Sequence, residues 1–241
     1  SVLLVIFLVR ERVLGAGKAR TSVISDLKLA VSSRRMLALM VSALLIQASL
    51  QSLQPILSNF IPTLAREGWI AAATRALFGE GEATDFIVGF VFSLPAIATV
   101  LTAPRLARVG ERIGFARLLS AGLLAAGLLI LPQSLVQSVG WLILLRFVFG
   151  IATAAVQPSV NAALAEVVHP SFRGRAYGIN TSANNLGSVL GPTLGGWVAD
   201  AFGPRAVFVA TGIVMLAASA WAQRMLVHGP EEPLVGAPEE L

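Results

Sequence analysis

No cysteine occurs in the 241 residues, which excludes disulfide frameworks, thiol nucleophiles and cysteine-based metal sites. Charge is scarce as well. Asp, Glu, Lys and Arg make up 13% of the chain, where a soluble domain carries about a quarter. There are two histidines, His169 and His228, and both lie in loops between apolar runs. The acids Glu11, Asp26, Glu67, Glu80, Glu82, Asp85, Glu111, Glu166 and Asp200, like the tail glutamates, stand at run ends or in loops. None occupies the middle of a run, where an intramembrane proton carrier would be expected. An integral-membrane enzyme would need His, Asp, Glu or Ser gathered at one depth, and no such constellation is visible. No cofactor or metal site is expected.

Apolar residues fill the space that charge leaves. Hydrophobic residues are 56% of the chain and the mean hydropathy is +0.78, values of a membrane protein. The net charge of +5 does not indicate nucleic acid, because the basic residues sit in short clusters between apolar runs. Spans are predicted near 36–62, 85–104, 118–137, 140–167, 176–200 and 205–227. Each approaches the length needed to cross about 30 Å of hydrocarbon. The expected fold is all-α and integral to the membrane, with about six complete helices. The run Val2 to Val9 is too short to span and reads as the end of a truncated helix, so the chain is expected to be a fragment.

Residues 10–35 read as a basic linker, with Val23 to Val31 as a short amphipathic piece suited to a membrane surface. Residues 63–84 read as a loop anchored by Trp69, and 228–241 as an acidic tail. Arg10, Arg12, Lys18, Arg20, Lys28, Arg34, Arg35, Arg105, Arg108, Arg112, Arg117, Arg173, Arg175 and Arg224 fall on one side of the predicted topology. Arg66, Arg75 and Arg205 fall on the other. The basic side, with the tail, is therefore expected in the cytoplasm of a cell whose plasma or inner membrane holds the protein.

Three motifs carry chemistry. The charged segment Pro104 to Arg117 resembles the G-x-x-x-D-R-x-G-R-R/K-R loop of the major facilitator superfamily, through Glu111, Arg112, Gly114 and Arg117. Ala107 stands in place of the first glycine, Glu111 in place of the aspartate, and Phe115-Ala116 in place of basic residues. Arg146 to Gly150 resembles the family's R-x-x-x-G motif, with Phe149 where glutamine is frequent. A charge at Arg146 is costly inside a span and calls for a function or a partner. The favoured alternative is that its side chain snorkels to the interface marked by Trp141.

The third motif is Gly187-x-x-x-Gly191-Pro192-x-x-Gly195-Gly196, preceded by Arg173-Gly174-Arg175. Gly187, Gly191 and Gly195 recur every four residues, so one helix face admits a close neighbour. This pattern resembles that of the superfamily's drug:proton antiporter branch. The resemblance implies a twelve-helix transporter built of two six-helix units, with small, largely apolar compounds exported by alternating access. It also implies a loop that closes the cytoplasmic gate at Glu111, Arg112, Gly114 and Arg117. Residues 36–227 are assigned to the C-terminal unit, helices seven to twelve, with the N-terminal unit as the alternative. The partners implied are a small-molecule substrate, the bilayer, protons and the missing half. On that geometry the glycine face is expected to meet a helix of the missing half. A facilitator-like scaffold or sensor is the other functional reading.

Polar positions complete the expectations. Gln47, Gln51, Gln54 and Ser58 fall within about a 60° arc of one helix and are expected to line a substrate cavity. Gln157 and Asn161, beside Pro158, are expected to join them, as are Asn180 and Asn184 at the start of the glycine face. Interhelical hydrogen bonding without a ligand is the plain alternative for each. The spans at 118–137 and 205–227, nearly uniform in Leu, Ala, Val and Gly, are expected to face lipid.

Overall fold

The computed structural model describes residues 23–65, 68–230 and 233–236. The proposed helix end at 1–9 and most of the linker and tail acids lie outside those residues. Nine α-helices are present among them: α1 (Val23–Ser32), α2 (Arg34–Leu64), α3 (Trp69–Phe78), α4 (Glu80–Ile113), α5 (Phe115–Ile130), α6 (Val139–Thr153), α7 (Val156–Val167), α8 (Arg173–Phe202) and α9 (Pro204–Ala222). A 3₁₀ turn (Leu131–Leu135) follows α5 and a π turn (Gln223–Val227) follows α9.

Five segments are long and apolar enough to cross a membrane: Arg34–Leu64, Glu82–Ile113, Phe115–Leu135, Val139–Val167 and Pro204–Val227. The remaining predicted span, 176–200, lies inside α8, which is 30 residues long, but Asn180, Asn184, Asn185 and its glycines lower its apolarity. All-α membrane architecture follows from these lengths.

Local chemistry sets the boundaries. Ser33 caps α2, its hydroxyl accepting from the Met36 amide at 3.3 Å. Gly114, at φ +90°, turns the chain between α4 and α5, and Gly203, at φ +89°, turns it between α8 and α9. The charged segment predicted as a loop is thus helical through Ile113, and only Gly114 breaks it. The predicted span 140–167 is two helices. Pro158 lacks an amide hydrogen, and its ring crowds the carbonyl four residues back, at Ala154, where α6 stops. The loop predicted at 63–84 holds a helix, α3, with Trp69 80% exposed at its start.

The most extensive helix pair is α2 with α8, and α5 pairs next most extensively with α9. In the second pair, a Cβ on Gly127 would lie 3.1 Å from the Gly212 carbonyl oxygen, and Ser219 Oγ donates to the Ser120 carbonyl at 2.7 Å. These contacts run the two helices antiparallel. The span that buries least is α4, with 22% of its core window buried, against 44% for the α5 and α9 spans. The α5 and α9 spans, expected to face lipid, each bury 44% of that window inside this chain and leave the rest open. Uniform apolarity does not separate a lipid face from a protein face, because lipid tails are as apolar as leucine.

Two apolar clusters fill the interior. One gathers Met36, Leu39, Ile46, Leu119, Leu164 and Phe172. The other gathers Leu53, Leu57, Ile87, Leu142, Phe149 and Phe208. The tail returns to the first cluster. Val235 donates to the Val167 carbonyl at 3.1 Å and accepts from the His169 amide at 3.0 Å, and its side chain is buried. Replacing Val235 with Pro removes that donor and is expected to speed amide exchange at residues 167–172; unchanged exchange would show the tail contact to be marginal.

Candidate functional site

The glycine motif forms a seam inside this chain. A Cβ on Gly187 would lie 2.5 Å from the Leu44 carbonyl oxygen, one on Gly191 2.5 Å from that of Ala48, and one on Gly195 2.6 Å from that of Ser52. The ascending order of both partners makes α8 parallel to α2. No residue larger than glycine fits these three positions without moving backbone. The expectation that this face meets the missing half is thus corrected: its partner is α2. Four-residue glycine spacing specifies a close neighbour but carries no information on which helix supplies it.

Beside the seam runs the polar stripe of α2. Gln47 and Gln51 are half-buried and border it, since a Cβ on Gly187 would lie 3.1 Å from Gln47 Cβ and one on Gly191 2.9 Å from Gln51 Cβ. Gln54 and Ser58 are exposed. Gln54 Nε2 donates to Gln51 Oε1 at 2.7 Å, and Ser58 Oγ donates to the Pro55 carbonyl at 2.8 Å. On α7, Gln157 is exposed and borders a 40 Å³ void with Ile46 and Leu50 of α2. Asn161 is exposed, and its carbonyl accepts from Tyr177 Oη at 3.0 Å. The structure therefore sets Gln157 against the α2 helix that bears the stripe.

Asn180 and Asn184 differ from this pattern. Asn180 is 3% exposed, and the Asn184 amide donates back to the Asn180 carbonyl at 3.1 Å. Both side-chain oxygens are buried without a partner among the described residues. Lying on the seam face, Asn180 is turned into protein rather than onto an open surface, which corrects its placement in a cavity.

Arg146 is also corrected. It does not snorkel but is 7% exposed, with its guanidinium 5.8 Å from the Phe149 ring centroid. Nε and Nη2 are buried and unpartnered among the described residues. One turn on, Gly150 packs α6 onto α4, where a Cβ would lie 2.5 Å from Pro95 Cα. Glu111, Arg112 and Arg117 are exposed around the Gly114 turn, and none forms an ion pair among the described residues. Glu82, Asp85, Glu111, Glu166 and Asp200 are all exposed. Arg173 Nη2 donates to the Ala165 carbonyl at 3.2 Å.

Sequence reasoning passed over two cavities flanking the seam. A 270 Å³ groove between α2, α8 and α9 holds the Ser52–Thr211 hydroxyl contact of 3.2 Å, which closes two polar groups in an apolar wall. A 650 Å³ cavity lies further along α2 and α8, lined by Asn59, Phe60, Thr63, Pro192, Gly196, Asp200 and Arg205 among others. Its sequence signal was present, because Pro55, Asn59 and Thr63 continue the helix face of Gln51 at four-residue steps.

Residues 29–240 match the sequence profile of the Major Facilitator Superfamily. The chain belongs to that family. Among relatives, "Multidrug resistance protein MdtG" of Salmonella typhimurium is 34% identical over 218 residues, covering 89% of this chain and 50% of the relative. The proteins of the same name from Salmonella paratyphi B and Salmonella newport show the same identity and coverage. The chain thus spans about half the length of the curated relatives it matches. In this Major Facilitator Superfamily chain, two motifs are helix contacts, at Gly150 and at Gly187, Gly191 and Gly195, and the third is an exposed turn at Gly114.

Proposed function

We propose that this chain is the C-terminal six-helix unit of a transporter that exports small, largely apolar compounds, working by alternating access against a second unit. The observation that carries the reading is the similarity over 89% of the chain to proteins named for multidrug resistance. The polar stripe supports it. Gln51, Gln54 and Ser58 on α2, with Gln157 and Asn161 on α7, offer neutral hydrogen-bonding groups on otherwise apolar helices. Such a surface can orient chemically varied ligands without demanding a charge. Protons are the proposed coupling ion. Glu82, Asp85, Glu111, Glu166 and Asp200 are exposed, so the proton carrier is assigned to the other unit.

Efflux by the complete parent transporter tests the reading. Cells expressing it are expected to hold less of a fluorescent apolar drug than control cells, and a protonophore should remove the difference. Equal accumulation with and without expression contradicts export.

The basic turns and the tail are assigned to the cytoplasm. In a complete transporter otherwise free of reactive thiols, one introduced thiol reports its own side, and this chain contributes no cysteine of its own. A cysteine replacing Trp69 should react with a membrane-impermeant maleimide in intact cells, and one replacing Arg112 should react only after permeabilisation. The reverse result inverts the topology.

A further inference from the structure

Gly196 is a member of the glycine motif that packing does not explain. A Cβ there would meet nothing within 4 Å, whereas one on Gly187, Gly191 or Gly195 would press into α2. Pro192 and Gly196 instead line the 650 Å³ cavity where α2 and α8 continue past the seam. That volume lies within the range of about 300–1,000 Å³ that encloses drug-sized ligands. Pro55, Ile56, Phe60 and Ala199 make its apolar walls. Asp200 and Arg205, on either side of the Gly203 turn, also line it. Both are exposed, and neither forms an ion pair among the described residues.

Two opposite charges that border one cavity, unpaired among the described residues, set the chemistry of its ligand. An anion would satisfy Arg205 and meet repulsion from Asp200, and a cation the reverse. A head that carries both charges satisfies both. Depth adds a second constraint. Asp200 and Arg205 stand at helix ends, while Pro55, Ile56 and Pro192 lie turns away inside the spans, at hydrocarbon depth. The order is a charged head above an apolar body.

We infer that this cavity binds a zwitterionic amphiphile. Its ammonium faces Asp200, its phosphate or carboxylate faces Arg205, and its apolar body lies between Pro55, Phe60 and Pro192. A bilayer lipid and a zwitterionic drug-like compound share this chemistry. The site does not depend on the export reading.

The complete parent transporter, purified in an uncharged detergent, is titrated with lysophosphatidylethanolamine as the zwitterionic probe and lysophosphatidylglycerol as the anionic one, followed by native mass spectrometry. The zwitterion is expected to bind more tightly by about tenfold, the worth of one charge-assisted hydrogen bond. Gly196→Leu fills the cavity and should weaken both probes by about tenfold or more. Asp200→Asn should weaken the zwitterion alone, and Arg205→Gln should weaken both. These two variants alter exposed side chains, so the test stands even where Gly196→Leu fails to fold. Equal affinity for the two probes, or zwitterion binding unaffected by either charge variant, overturns the site.

A zwitterionic fluoroquinolone separates the two sources. If it displaces the lysolipid and its efflux falls in Gly196→Leu cells, the site takes transported compounds. If it does not compete while lysolipid binding depends on both charges, the site holds bilayer lipid.

Discussion

Gly191→Leu is expected to abolish the folded transporter. The first atom of any side chain at this position falls 2.5 Å from the Ala48 carbonyl oxygen and 2.9 Å from Gln51 Cβ. The obstruction is helix backbone, so no rotamer change relieves it, and α2 and α8 must separate along the whole seam. Overpacking of side chains alone costs about 1–3 kcal/mol, and displacing backbone on the largest helix pair exceeds that. Even Gly191→Ala should lower the melting temperature of the purified complete transporter. Gly196→Ala should leave it unchanged or raise it, because alanine is the better helix former by about 1 kcal/mol and meets open space. Opposite signs at positions five apart in one motif would be hard to obtain from any general effect of glycine. Equal effects at the two positions contradict the seam.

Arg146→Met is expected to raise the melting temperature while lowering efflux. Two guanidinium nitrogens are buried and unpartnered among the described residues, and the Phe149 ring lies 5.8 Å away as a partial compensation. A cation–π contact contributes about 0.5–2 kcal/mol, while desolvating an unpaired charge costs several kcal/mol. Removing the charge and keeping the volume therefore relieves a penalty. A charge held at such a cost is most simply one that acts during transport. A lower melting temperature contradicts this account and places a counter-charge outside the described residues.

These two positions show what was legible in the sequence. Helical spacing gave the glycine face and the polar stripe, since both are properties of one helix. The partner of the glycine face was not legible: periodicity says which residues share a side, never what lies opposite. Arg146 fails differently. From sequence its distance to Trp141 suggested an escape to the interface, but helix rotation, set by the Gly150 contact with Pro95, turns it inward. The stop of α6 at Thr153 was readable in principle from Pro158, whose ring crowds Ala154, although the unbroken apolar run concealed it. Helix α3 was missed because ten residues are too few to span a bilayer.

The central claim is that the polar face of α2 lines the path of an exported compound. It is tested by a single cysteine replacing Gln54 in a complete transporter otherwise free of reactive thiols. Gln54 is exposed and bonded to Gln51, so a thiol there should be accessible to a small maleimide. The account predicts that an exported compound slows this labelling and that labelling blocks efflux. Labelling at the same rate with and without that compound, with efflux intact afterwards, would contradict it.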